Sequence, residues 1–415
     1  MPKTLRTLPF NKSEFFVLRN KMKQKIAITS LSSISALGAN PDTIWQNYLS
    51  NKSFITSKEF NGKTEFVATI PTEIKNELEI LRQSDNKYKS LDETVLMAIL
   101  AAREAVKNAG WNEGEDFGVN IGSSRGATQL FELYHKEFLS TGTTPTLTSP
   151  TTTLGNIATW VAHDLKTSGV EISHSITCSS ALHAILNAVA WLQSGMATKF
   201  LVGGSEAPLT DFTIAQMKSL KICASTENSD FQENEFPCQA LNLEKTKNTM
   251  VLGEAASVAC LELGKKENAL AYVAGIGYAT DTLEHNISIS KEAECFQKSM
   301  KMAIGALDLS VVDVIVMHAP GTIKGDLSEY RAIQKVFGQN LPLLTTNKWK
   351  LGHTFSASGM LSVELAIMML QHNQFIDVPF AKEINTNSKK ELRYILVNAV
   401  GFGGNAVSIL LSKDF

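Results

Sequence analysis

The stretch ITCSSALHAILNAVAWLQSG, residues 176–195, reads as the end of a strand that runs directly into a helix with almost no polar face. Ala181, Leu182, Ala184, Ile185, Leu186, Ala188, Val189, Ala190, Trp191 and Leu192 surround its axis, and a helix apolar all round is a buried one. Gly195 supplies its C-terminal stop. A strand feeding a buried helix is a building unit of layered α/β folds, and the junction carries Cys178. At the positive end of a buried helix dipole, that sulfur is expected to favour thiolate over thiol. First-turn N–H groups there can face a developing oxyanion. A lone cysteine is also among the residue types most often buried for packing alone, so a catalytic reading of Cys178 needs partners.

Three further stretches supply them. In VIVMHAPGTIKGDLSEYRAI, His318 stands where a strand rich in Val and Ile ends, the place where α/β proteins put their sites. Asp326 and Glu329 follow in or near the first turn of a helix, where acids complement the dipole. In TTNKWKLGHTFSASGMLSVELAIMML, His353 precedes a strongly apolar helix, a position that favours neutral imidazole able to donate one hydrogen bond. Lys348, five residues earlier, can pair with an acid or tune the local potential. In VNAVGFGGNAVSILL, Gly401, Gly403 and Gly404 flank Phe402 between two strands. Either a hairpin turn or a close backbone approach to a ligand explains those glycines.

Working outward, short β-branched runs alternate with longer helical patterns. Strands are predicted at Ile26–Thr29, Gly118–Ile121, Ser173–Thr177, Phe200–Gly203, Ala271–Gly275, Val312–Met317, Leu343–Thr346, Arg393–Val397 and Ala406–Leu411. Helices are predicted at Asp92–Ala109, Ser179–Gln193, Lys291–Ala306, Leu327–Phe337 and Ala357–Leu370. The loop-like region Ser225–Asn248 separates the set carrying the cysteine from the set carrying the histidines. We therefore divide the chain into an N-terminal extension (1–22) and two α/β halves, 23–265 and 266–415. The extension holds five basic residues against Glu14 and lacks the apolar core of a secretory signal. An upstream start or frayed tail is one account of it, a transit or docking segment the other.

Composition excludes several function classes. A formal charge of −2 over 415 residues leaves no average electrostatic footprint for nucleic acid. Apolar runs are broken well short of a membrane span. Cys178, Cys223, Cys238, Cys260 and Cys295 are odd in number and scattered, which supports neither a disulfide scaffold nor a zinc site and suits the cytoplasm.

Taken in order and spacing, these elements resemble the elongating β-ketoacyl-acyl carrier protein synthases. The likeness runs from about Lys23 to the C-terminus: IAITSLSSISALG, TIWQNYLSNKSFI, the cysteine block, GGSEA, VLGEA, HAPGTIKGDLSE, NKWKLGH and GFGGN. It implies a thiolase-like fold of two related halves in a five-layered α-β-α-β-α arrangement, usually dimeric. It also implies that Cys178 takes an acyl chain from a carrier-protein thioester. His318 and His353 would then promote decarboxylation of a malonyl-carrier, whose carbanion attacks the acyl-Cys178 thioester. By the same resemblance, N–H groups of Cys178 and Phe402 form the oxyanion hole and Phe402 gates the site. Thr322 contacts the phosphopantetheine arm, and Lys348 and Glu254 make a buried supporting pair; Gly403 and Gly404 are expected to bind substrate through their backbone. No bound cofactor is implied. The carrier's phosphopantetheine arm brings the substrates, and the partners are acyl carrier protein and either a second copy or a related ketosynthase-like subunit. His353 separates the chain from initiating synthases, which use Cys–His–Asn. The lack of a cysteine after Cys295 separates it from thiolases.

Some positions depart from the family pattern. Pro320 replaces a pantetheine-contacting threonine, Lys247-Asn248-Thr249 replaces Arg-Asp-Gly, Ala255 and Ser356 replace glycines, and Arg125 stands where a small or aliphatic residue lines the acyl pocket. A guanidinium in an apolar tunnel is costly unless paired. Arg125 therefore either turns away or marks a pocket for something other than a plain saturated chain. These changes point to a specialised polyene, aryl polyene or polyketide pathway. The alternative is a non-catalytic partner of the chain-length-factor type, whose members typically lose the active cysteine that this chain keeps.

Overall fold

A computed structural model describes residues 24–154, 156–226, 236–282, 290, 292–381, 383–385 and 391–414. The extension at 1–22 and part of the Ser225–Asn248 loop lie outside the described residues. In chain order the strands are β1 (Ile26–Ile34), β2 (Thr56–Phe60), β3 (Lys63–Ala68), β4 (Gly118–Gly122), β5 (Glu171–His174), β6 (Lys199–Glu206) and β7 (Leu252–Gly253). They continue with β8 (Ala255–Leu263), β9 (Ala271–Thr280), β10 (Val314–Val316), β11 (Leu343–Thr345), β12 (Tyr394–Gly401) and β13 (Asn405–Ser412). Ten of them form one sheet in the order β11-β10-β12-β13-β9-β1-β8-β6-β4-β5, and β2-β3-β7 form a small second one.

The large sheet is one pattern written twice. In the N-terminal half β5, β4 and β6 are parallel, β8 runs antiparallel beside β6, and β1 pairs antiparallel with β8. In the C-terminal half β11, β10 and β12 are parallel, β13 is antiparallel to β12, and β9 pairs antiparallel with β13. The halves join where β1 pairs with β9, Ile26 opposite Val273 and Ile28 opposite Ala271.

Helices fill the layers around this sheet because their apolar residues leave them no other place. Glu93–Ala109 and Asn156–Leu165 pack with Val119, Ile121, Leu201 and Val258 on the outer side of the first half. Glu294–Ile304 and Ile323–Phe337 pack with Ile315, Leu396 and Leu410 on the outer side of the second. Ser180–Ser194 and Ser358–His372 share a core with strands of both halves, including Phe200, Val202, Val314 and Val397. This gives the α-β-α-β-α layering expected of a thiolase-like fold.

Element boundaries shift for local reasons. The strand expected to reach Thr177 stops at His174, because Ser175–Thr177 form a turn. In it Ser180 Oγ accepts the Ile176 N–H at 2.9 Å and donates to the Thr177 carbonyl at 2.6 Å. The helix expected from Leu327 starts at Ile323, where Thr322 caps it by accepting the Gly325 N–H at 3.1 Å. β8 is buried on both faces, so it lacks the alternation that marks a half-exposed strand.

Candidate active site

Cys178 occupies the tight turn between β5 and the central helix Ser180–Ser194. Thr177 before it adopts φ +47°, a left-handed conformation held by the Ser180 bonds, and the turn presents the sulfur at the head of the helix. The hairpin between β12 and β13 presses onto this elbow. A Cβ on Gly401 would lie 1.9 Å from Thr177 Oγ1, so only glycine permits the approach. That contact brings Phe402, 36% exposed, to the mouth of the same cavity, while Gly403 and Gly404 make the turn at φ +92° and +70°.

The thiol is almost completely buried. Burial, aided by the nearby Glu206 carboxylate and opposed by Lys348, pushes it up to about 12. The helix dipole stabilises an adjacent charge by at most ~2 kcal/mol, little more than one pKa unit. Cys178 therefore rests as a thiol. The thiolate expected from helix position alone is corrected by the depth of the packing around it.

His318 follows β10, and His353 precedes the turn Phe355–Ala357 and the helix Ser358–His372. Their rings meet edge to face with centroids 5.4 Å apart. His353 Nδ1 accepts the Phe355 N–H at 2.9 Å and lies 3.3 Å from Ser358 Oγ, so the ring proton is carried on Nε2. Burial and the Lys348 charge hold this imidazole down to about 3. Burial, Lys348 and His353 hold His318 well below the usual histidine range. His318 Nδ1 is buried with no partner among the described residues. Both rings are neutral, which suits them to donate hydrogen bonds and makes them weak bases.

The acid facing Lys348 is Glu329, which corrects the expected Lys348–Glu254 pair. Glu254 instead takes the Ile70 N–H at 3.1 Å and lies 3.6 Å from the Lys75 ammonium, because β7 turns it toward the helix Thr72–Ser84. Lys348 is 1% exposed, and burial brings it down to about 8 against the pull of Glu329. Glu329, raised by burial to about 7, accepts the N–H groups of His318 (3.0 Å) and Ala319 (2.9 Å) and the Asn398 amide (3.1 Å). Beyond any complement to the helix dipole, it is a buried anchor of the His318 loop. So is Asp326, which accepts the N–H groups of Leu241 and Gly321 and pairs with Lys245 at 2.6 Å. The phase of the helix carried the signal: Asp326 and Glu329 fall on the stripe of Ala332, Ile333 and Val336 that faces the core.

Cys178, His318, His353 and Phe402 line one cavity of about 480 Å³, together with Thr322, Pro320, Asn248, Lys324 and an apolar wall that includes Met217, Met250, Leu252 and Phe355. Lys348, Gly403, Gly404 and Glu254 are not among its lining residues, nor is Arg125, which lies behind Phe355. Thr322 uses its oxygen as acceptor in the helix cap, which leaves its O–H available to a ligand.

Sequence models of known families match almost all of this frame. The "Beta-ketoacyl synthase, N-terminal domain" model covers residues 23–267, and its C-terminal counterpart covers 270–379. The chain belongs to the β-ketoacyl synthase family. Its members are condensing acyltransferases. The 3-oxoacyl-[acyl-carrier-protein] synthase 2 of Staphylococcus aureus is 27% identical over 417 residues, covering 94% of this chain and 98% of that protein. A β-ketoacyl synthase from Burkholderia phymatum superposes with a TM-score of 0.79 at 20% identity, covering 94% of this chain and all of the other. A ketosynthase solved in complex with its chain length factor, from Xenorhabdus doucetiae, superposes with a TM-score of 0.73 at 21% identity, covering 94% and 98%. No helix among the described residues is long and apolar enough to cross a membrane.

Proposed function

We propose that this β-ketoacyl synthase performs a decarboxylative condensation on carrier-bound substrates, with Cys178 as nucleophile and His318 and His353 as the pair that stabilises the enolate. The observation that carries the reading is one cavity lined by a thiol at a helix head and two neutral imidazoles at the same depth.

In the first step Cys178 attacks an acyl-carrier thioester. A new S–C bond forms, the carrier sulfur leaves, and the thiol proton ends on that sulfur. The backbone N–H groups of Cys178 and Phe402 would receive the carbonyl oxygen as it becomes negative. In the second step a malonyl-carrier replaces the spent carrier. His353, with its proton on Nε2, and His318 donate to its thioester oxygen while the carboxylate departs as carbon dioxide. The electron pair left on the α-carbon attacks the acyl-Cys178 carbonyl, a C–C bond forms, the S–C bond to Cys178 breaks, and the released Cys178 sulfur takes a proton from water to return to the thiol. Thr322 would steady the pantetheine arm, and Lys348 with Glu329 would hold the His318 loop and its potential. The carrier protein is the proposed partner, and a second copy or a related subunit completes the assembly. Five unpaired thiols suit a reducing, cytosolic setting.

Pro320, Lys247–Thr249 and Arg125 support a specialised carrier-dependent pathway over housekeeping fatty-acid elongation. The test is to incubate the protein with cerulenin or an acyl-carrier thioester and map the adduct by mass spectrometry. Modification of Cys178 is expected, and its absence would favour the chain-length-factor-type reading. Carbon dioxide release from malonyl-carrier should fall by about 10²–10³ in His318→Ala and in His353→Ala.

A further inference from the structure

Away from the histidines the cavity wall is apolar, and Phe355 forms part of it. Behind that ring lies a cation: the Arg125 guanidinium carbon is 5.9 Å from the Phe355 centroid. One buried carboxylate fixes the two together. Glu206 Oε1 accepts the Ser123 hydroxyl (2.5 Å) and the Arg125 N–H (3.0 Å), and Oε2 accepts the N–H groups of Ser124 (2.8 Å) and Ser356 (3.2 Å). The loop bearing Arg125 and the turn bearing Phe355 therefore cannot move apart without breaking this anchor, which also lies within electrostatic reach of Cys178.

The guanidinium is incompletely paired. One terminal N–H donates to the Gln216 side-chain oxygen. Its Nε is sealed from solvent and has no partner among the described residues. A buried N–H of a cation gains from an added acceptor, so Nε is a donor that a bound chain can use. The charge around it decides what kind of group. Glu206 and Glu132 both act on the guanidinium, which sets two carboxylates against one cation. An anionic tail would meet net negative charge, whereas a neutral oxygen would not.

We propose that Arg125 is a specificity residue that selects acyl chains carrying a neutral oxygen acceptor, a keto or hydroxyl group, where the chain passes Phe355. The inference rests on the reading of Cys178 as the acyl carrier. The class of reaction that supplies such a chain is one that leaves a β-keto group unreduced, or reduces it to a hydroxyl that is not then eliminated as water.

The experiment measures acyl transfer to Cys178 from pantetheine thioesters of equal chain length that are saturated, hydroxylated or keto-bearing, or carboxylate-tailed. Intact and peptide mass spectrometry gives the rates. The full-length protein is expected to label with the neutral oxygenated chain at least about tenfold faster than with the saturated one, and slowest with the carboxylate. Arg125→Leu should erase that preference, and Arg125→Lys should keep part of it. Equal ratios in wild type and Arg125→Leu, or a preference for the carboxylate, would overturn the proposal. So would a change in oligomeric state by light scattering with selectivity intact, since a partner subunit would then complete Nε. Failure of every chain to label Cys178 would instead overturn the nucleophile assignment. If the variants do not fold, the wild-type ratio alone decides.

Discussion

The two imidazoles are held neutral by burial, and this makes a quantitative claim about acid pH. Consider carbon dioxide release from malonyl-carrier between pH 5.5 and 7.5. An ordinary histidine, at about 6.5, would be only about 9% neutral at pH 5.5, and a reaction needing neutral imidazole would fall to roughly a tenth. His353 at about 3 stays more than about 99% neutral at the same pH, and His318 is depressed in the same direction. The rate should therefore be flat across the window, with tryptophan fluorescence confirming a folded protein at each point. His353→Ala should lower the rate by about 10²–10³, the cost of one donor to a developing oxyanion, and leave it equally flat. Because the Glu329 carboxyl titrates near 7, the profile is also taken in Glu329→Gln, and an inflection near 6 to 6.5 that persists there in a folded sample would refute the reasoning. It would mean that a histidine is exposed enough to take up a proton, or works as a general base.

Glu329→Ala strands the N–H groups of His318 and Ala319 and removes the acid facing Lys348. A loss of about 3–5 kcal/mol in urea unfolding is expected, against about 1–3 for Glu329→Gln. The buried Glu364, which accepts from the Ser33 hydroxyl and from Tyr48 OH at 3.4 Å, is raised by burial to about 7. Its folded value exceeds its unfolded one, so its contribution is full below the unfolded pKa near 4.5 and is lost as pH rises through about 7. Glu364→Gln should flatten the stability–pH curve over that window by about 3 kcal/mol in total; an unchanged slope would show the carboxylate to be hydrated.

The proposed catalytic set was legible in the sequence because Cys178 and His318 stand where a strand gives way to a helix, His353 stands ahead of a strongly apolar helix, and their order and spacing resemble the elongating synthases. The fold brings the three to one cavity. What could not be read was anything set by depth. Cys178 looks like an activated thiolate when only its helix is considered, and becomes a thiol once the hairpin at Gly401 and the turn at Phe355 close over it. The role of Glu329 is a second case. Its place near the helix start pointed to the dipole alone, whereas its phase with Ala332 and Ile333 turns it inward onto the His318 loop. Lys348 then found a nearer acid than Glu254, because β7 faces Glu254 away.

The doubled topology explains why the chemistry lies on the seam. β5 and β11 are equivalent strands, and each leads to a central helix, Ser180–Ser194 in one half and Ser358–His372 in the other. Each junction has a residue with left-handed backbone, Thr177 and Phe355, both at φ +47°. The first junction presents a thiol and the second an imidazole. Under the proposed mechanism the seam would supply a covalent anchor from one half and hydrogen-bond donors from the other, as a two-substrate condensation requires. Both are neutral at rest, and the buried Lys348 and Glu329 act on the histidine site from outside the cavity lining. A malonyl carboxylate entering such a cavity loses hydration that its product, carbon dioxide, does not need, so the apolar wall itself favours the decarboxylating direction.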